Sequence, residues 1–296
     1  MKSAITLTPR HVKLTNRTGV EVRRTLPHKE LRTIGAWCFI DHFGPTSDED
    51  AMSVAAHPHT GLQTASWLIA GEVEHRDSLG SIQLIRPGEL NLMTAGSGIA
   101  HSELSINESQ PFHGVQLWIV LPDAHRHQDS HFEHHDDLPV VRQDNLVAKV
   151  FAGSFLGVTS PANYYSPLVG AEISITSDVQ IPLVLEFEYG ILVVSRTIRV
   201  NGELVEVGSL HYLPAGNESV SLSGEGQVMF LGGEPFAEDI VMWWNFIGRS
   251  HEEIIEMKSA WEQRVGGFKE FDDRIGGFIP APDLPNVRLT ARSNPK

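Results

Sequence analysis

The stretch HPHTGLQ, residues 57 to 63, sets two histidines two positions apart in a context that reads as a β-strand. Alternate residues of a strand share a face, so His57 and His59 point the same way. A second pair follows in TAGSGIAHSEL, residues 94 to 104, where His101 and Glu103 are again two positions apart. The residues between, 60 to 100, are enough for hairpins that bring the second strand back beside the first. Three imidazoles and one carboxylate would then converge on one point inside a barrel. Neutral nitrogens with one anionic oxygen suit Fe(II), Mn, Co, Ni, Cu(II) or Zn better than Ca or Mg, which take mostly oxygen. On an octahedral ion, four protein ligands leave two adjacent positions for a substrate and a second molecule. With one anionic ligand, the ion keeps a net positive charge and attracts an ionised hydroxyl. Gly96 and Gly98 are expected to let the chain turn sharply and approach the site closely.

The elements that must position these residues read as β-rich. TASWLIAGEVEHRDS gives a strand, a Gly-centred turn and a strand, and SIQLIRPGELNLMTAG repeats the form around Pro87 and Gly88. VQLWIVLP ends in proline. Short, punctuated strands of this kind suggest a sandwich or barrel rather than a parallel sheet. The polar interval DAHRHQDSHFEHHDDLP, residues 123 to 139, is read as a linker, after which the strand grammar resumes. Ser250 and Glu253 form a capping box ahead of a helix whose apolar stripe is Ile254, Met257, Trp261 and Val265. Trp243 and Trp244, just before it, are expected to close the second barrel. The Gly- and Pro-rich C-terminus is expected to lie over the surface.

The chain has 296 residues, 41% hydrophobic and 20% charged, which suits two packed domains. Its formal net charge of −14, from 23 basic and 37 acidic residues, repels nucleic-acid backbone and anionic lipid. A small-molecule partner fits better than DNA or a membrane. Cys38 is the only cysteine, so no intrachain disulfide forms. The N-terminus lacks a signal-peptide core, and no apolar run of about 18 or more residues is present. A cytoplasmic protein is the expectation.

HPHTGLQTASWLIAGEVEHRDSLG with PGELNLMTAGSGIAHSE resembles the pirin family, a branch of the cupin superfamily. RTLPHKELRTIGAWCFIDHFGP upstream and VMWWNFIGRSHEEI near the other end are similar to pirin segments as well. The resemblance implies an all-β fold of two cupin, jelly-roll-like barrels facing each other, with a short helix near the C-terminus. Residues 1–135 would form the metal-binding barrel, and 136–296 a metal-free barrel with helix and arm. It implies iron held by His57, His59, His101 and Glu103, the same four that the spacing selects. Several pirins are quercetin 2,3-dioxygenases, which open a flavonol with O2 and release CO. Others are regulatory or redox-sensing partners of other proteins. The implied activity is a dioxygenase acting on a flavonol or related enol or catechol, with Glu103 as the residue that accepts the substrate proton. The rival expectation is a metal-dependent regulatory protein acting through a protein partner. Pirins are described as monomers, which sets the expected state here.

One departure stands out: Gln63 occupies a position where many pirins carry glutamate. If Gln63 lies beside the ligands, charge and redox tuning change while ligation survives. SLHYLPAG, residues 209 to 216, offers only His211, and no H-x-H or H-x-E occurs between residues 150 and 245. The cluster His125, His127, His131, His134 and His135 is read as an adventitious metal binder on a mobile-looking segment. His42 is expected to be a structural hydrogen-bonding residue, and Glu74, Arg76 and Asp77 an outer hairpin edge. Phe43, Trp67, Phe112 and Trp118 are expected in the core, with one or two reaching the pocket. Cys38 is expected to be buried. Gly96-Ser97-Gly98 lacks a basic residue for phosphate, and no G-x-S-x-G elbow is present.

Overall fold

The computed structural model describes residues 3–13, 21–46, 52–106 and 111–294, and strands dominate it. Twelve come first: β1 (Ile5–Leu7), β2 (Arg10–Lys13), β3 (Glu21–Leu26), β4 (Trp37–Phe43), β5 (Ser53–His59), β6 (Leu62–Ala70), β7 (Val73–Asp77), β8 (Ile82–Ile85), β9 (Leu90–Thr94), β10 (Ile99–Ser105), β11 (His113–Val120) and β12 (His131–His135). A seven-stranded sheet ordered β12-β9-β6-β11-β4-β3-β2 and a four-stranded sheet ordered β5-β10-β7-β8 make the first barrel.

Register decides what the larger sheet shows to each side. Trp37, Ile119, Gln63, Thr94 and His131 lie opposite one another across successive strands and form one row. Asp41, Gln116, Ser66, Asn91 and His134 form another. Trp37 Nε1 donates to the Gly232 carbonyl at 3.1 Å and Gln63 Nε2 to the Asn163 carbonyl at 3.0 Å, so the first row faces the second barrel. The second row therefore lines the first barrel's interior. Because β4 is covered on both faces, all seven of its residues are buried and no alternation survives in its sequence.

The second barrel repeats the plan. Its larger sheet runs through Leu210–Leu213, Glu188–Ser195, Gly226–Gly233, Leu168–Ile175, Leu146–Phe155 and Val140–Gln143, with β1 added at the edge beside Leu210–Leu213. Its interior is closed by Val150, Ile173, Ile191, Val193, Val220 and Phe230. Between the barrels, Trp37, Trp67, Phe151, Leu192, Met229 and Leu231 form a shared core. One interior is thus filled by hydrocarbon, while the other keeps polar groups and space. Among the described residues, no helix is long and apolar enough to cross a membrane.

The expected linker is in part a strand. Residues 131–135 form β12, paired antiparallel with β9. Its alternation escapes an apolar template because the outward residues His131 and Glu133 meet Tyr165 and Asn163 of the second barrel. Phe132, one position between them, packs with Met93, Ala95 and Ile99.

The helix α1 spans His251–Gln263, with the Ser250 hydroxyl accepting from Glu253 N–H at 3.2 Å. Ile254 and Trp261 are buried as the stripe requires. Val265 is not part of it: Arg264 ends the helix in the left-handed conformation, and Val265 is 50% exposed. Trp243 and Trp244 close no second barrel; they pack with Ala100, Phe246, Trp261 and Phe268 on the first barrel's flank. The C-terminal arm also crosses the first barrel. Ile279 N–H donates to Ala56 at 2.8 Å, and the Asn294 amide holds Thr33 at 2.9 and 3.0 Å. A cut at residue 135 follows the end of β12, yet β1 joins the second barrel, and helix and arm cover the first.

Candidate metal centre

β5 and β10 pair so that His101 lies opposite His57 and Ile99 opposite His59. The register then shifts, and Glu103 stands across from Val54. The three imidazoles close on one another, with ring centroids 4.3 Å apart for His57–His101, 5.1 Å for His57–His59 and 5.0 Å for His59–His101. Their ligand atoms lie within 4.8 Å of one another.

The chemistry of this trio suits a transition metal. His57 Nδ1 lies 2.9 Å from the Ala55 carbonyl and must donate to it, which leaves a lone pair on Nε2. His101 Nε2 and His59 Nδ1 are buried without a hydrogen-bond partner among the described residues. Burial pushes His57 down to about 4 and holds His59 and His101 well below the usual histidine range, with the neighbouring imidazoles adding to the effect. Neutral imidazoles with unclaimed nitrogens at one point are the donors that an ion such as Fe(II) or Ni(II) takes.

Glu103 faces the same cavity, but its nearest cluster is a second one, with His75 and His101. Burial raises its carboxyl, opposed by the neighbouring His75 ring and a hydrogen bond from the Ser66 hydroxyl at 3.3 Å. The three histidines therefore stand together, with the carboxylate beside His101.

All four line a cavity of about 640 Å³. On one wall the Trp118 ring meets His59 edge-on at 5.0 Å and stacks flat on Phe39 at 3.9 Å. The Arg24 guanidinium sits over Phe39 at 4.4 Å and clamps the buried Asp41 with two bonds of 2.7 Å. The roof is Trp244, Asn245, Ile275, Phe278, Ile279 and Pro280. Sequence reasoning missed this roof because the arm has no periodicity to read. Of the four expected core aromatics, Trp118 lines the cavity.

Several expectations change. Gln63 is not beside the ligands: its amide bonds Thr94 at 2.9 Å and Asn163 at 3.0 Å, on the face toward the second barrel. Asp77 is no outer edge; it is 1% exposed and buried with His75 beside His101. The signal was available, since His75 and Asp77 show the same alternate spacing as His57 and His59. Glu74 and Arg76 do pair outside, at 2.8 Å. Gly96 and Gly98 turn sharply, but a Cβ would meet the Gln128 carbonyl at 2.1 Å and the Phe268 ring at 2.8 Å rather than the site.

His42 is buried and bonds His113 at 2.8 Å. Cys38 is buried, which drives its thiol well up. His134 turns to Asn91, while His131 and His135 turn to Glu133. No histidine of that cluster joins a metal-competent trio among the described residues. His211, in the second barrel, bonds Thr6 at 2.8 Å.

Residues 19–119 match the family model described as Pirin, and residues 168–268 the one described as Pirin C-terminal cupin domain. A Pseudomonas aeruginosa protein named "Putative quercetin 2,3-dioxygenase" is 43% identical over 90% of this chain and 87% of its own. A pirin-like protein of Caulobacter vibrioides is 35% identical over 89% of this chain and 94% of its own. The crystal structure of quercetin 2,3-dioxygenase from Acinetobacter baumannii has a TM-score of 0.92 at 39% identity, covering 97% of this chain and 98% of that one. The Escherichia coli bacterial pirin YhhW, in complex with nickel(II), shares the fold at a TM-score of 0.62 and 17% identity, covering 79% of this chain and 100% of that one.

Proposed function

The chain belongs to the pirin family, and on that premise we propose that it is a metal-dependent dioxygenase of the quercetin 2,3-dioxygenase type. The observation that carries this reading is the trio His57, His59 and His101 opening into a cavity of about 640 Å³, within the usual size for small-molecule sites. His57, His59 and His101 would hold the ion, with Glu103 as fourth ligand. Fe(II) is the ion we propose first, and the nickel complex of YhhW supports a site of this kind that also takes Ni. When bound, the ion supplies Lewis acidity that favours the ionised form of a substrate hydroxyl and brings it together with O2.

The remaining work falls to the chain itself. Phe39 and Trp118, stacked on each other at the cavity's side, give an apolar edge beside which a planar flavonol, enol or catechol ring packs. Trp244, Phe278 and Ile279 add apolar lining on the side of the cavity where a bound ring would rest. Glu103, whose carboxyl burial makes more basic, accepts the substrate's hydroxyl proton. A metal-facing space filled by side chains would have favoured the regulatory reading, in which a protein partner senses the metal state; the cavity of about 640 Å³ beside the histidines favours the enzyme. We also propose a cytoplasmic monomer, divided near residue 135 into a metal-binding and a metal-free barrel.

The test is an aerobic quercetin assay on protein loaded with Fe(II) or Ni(II), following flavonol absorbance and CO. Consumption with CO release is expected. Loaded protein that leaves quercetin intact contradicts the proposal.

A further inference from the structure

The Nδ1 of His101 lies 3.3 Å from Nδ1 of His75, whose Nε2 lies 3.1 Å from Oδ2 of Asp77. β7 and β10 pair with Asp77 opposite His101 and His75 opposite Glu103, which brings all four to the barrel interior. Asp77, His75 and His101 are all buried. The Phe132 ring lies almost parallel to His75 at 4.4 Å, so β12 fixes the plane of that imidazole.

The chain of bonds has a direction. Oδ1 of Asp77 accepts from the backbone N–H of Leu79 at 2.9 Å and of Ser81 at 3.0 Å, which anchors the carboxylate. An ionised carboxylate only accepts, so His75 Nε2 donates to it. A neutral His75 then has a lone pair at Nδ1, and the hydrogen between the two rings belongs to His101 Nδ1. That leaves the His101 lone pair on Nε2, the buried atom with no partner among the described residues. We propose that Asp77 and His75 are positioning residues that lock His101 in the tautomer whose Nε2 is free to ligate. This rests on the metal-centre reading above, and it assigns a role to two residues outside the ligand set.

Asp77→Asn tests the direction. The amide oxygen stays with Leu79 and Ser81, so its NH2 faces His75. Nε2 of His75 must then accept, its Nδ1 donates, and the hydrogen of His101 moves to Nε2. Long-range 15N–1H NMR on the metal-free protein is expected to show Nδ1–H at His101 in the parent and Nε2–H in the variant. Isothermal titration with Ni(II) is expected to show a loss of roughly 10- to 100-fold in affinity. His75→Phe keeps the ring stacked on Phe132 without an acceptor, and covers the case in which Asp77→Asn does not fold. It is expected to leave His101 as a mixture of tautomers and to weaken Ni(II) by about tenfold. A parent with Nε2–H at His101, or folded variants that bind Ni(II) as tightly as the parent, overturns the proposal. A parent with Nδ1–H that binds no Ni(II) supports the tautomer lock and removes the metal reading instead.

Discussion

The hydroxyl of Ser66, on β6, lies 3.3 Å from Oε1 of Glu103, on β10, and so ties together the two sheets of the first barrel across its interior. Ser66 is also 2.9 Å from the Gln116 amide. One hydroxyl proton cannot serve two acceptors. With the Gln116 amide turned, its NH2, otherwise without a partner, donates to Ser66, and Ser66 donates to Glu103. Ser66→Ala is therefore expected to free Glu103 and weaken Ni(II) binding by roughly tenfold, with the melting temperature little changed. Isothermal titration checks it, and unchanged affinity would show that Ser66 does not hold the carboxylate.

The roof gives a different signature. Phe278 is 48% exposed and braced by Trp261 at 5.9 Å and by the Arg264 guanidinium at 3.5 Å. Phe278→Ala removes apolar contact worth about 1 kcal/mol to a bound ring. KM for quercetin should rise about fivefold at constant ion content. A loss of bound metal in this variant would mean that the arm supports the ligands and not the substrate.

The joint between the barrels is tested at Trp37, fully buried and edge-on to Phe151 at 6.2 Å. Trp37→Ala should cost about 3 to 5 kcal/mol in urea denaturation. A cost under about 1 kcal/mol would mean that the barrels do not fold as one unit.

Acid sensitivity has a source outside the metal centre. Burial, and then the charge of Arg23, lowers both His42 and His113, the latter to about 4. From the ordinary value near 6.5 down to about 4, the unfolded chain takes up protons at these rings that the folded chain refuses. Stability from this pair is therefore complete above about pH 6.5 and falls as pH drops, by up to about 1.4 kcal/mol per pH unit for each ring. His113→Gln should flatten the dependence between pH 7 and 5 in denaturant titrations, and a parallel curve would place the sensitivity elsewhere.

Much of the first barrel was readable from alternation alone. His57, His59 and His101 meet because both H-x-H and H-x-E lie on strands with one face inward, and strand pairing does the rest. The same rule applied to His75 and Asp77 would have found their place beside His101; the charged neighbours Glu74 and Arg76, which do face out, masked it. β12 was missed because one face meets polar groups of another barrel, a contact between distant segments that no local pattern carries. The same holds for Gln63. Its match to a position where many pirins carry glutamate suggested the site, but its side of β6 belongs to the joint between the barrels. Trp244 and Phe278 reach the cavity from a tight turn between two short strands and from an irregular arm, neither of which has a period to extrapolate.

The most direct measurement is an anomalous difference map at the nickel absorption edge, from crystals of Ni(II)-loaded protein. A single strong peak is expected in the first barrel, about 2.1 Å from one ring nitrogen each of His57, His59 and His101. A peak instead among His131, His134 and His135, or none in the first barrel, contradicts the account.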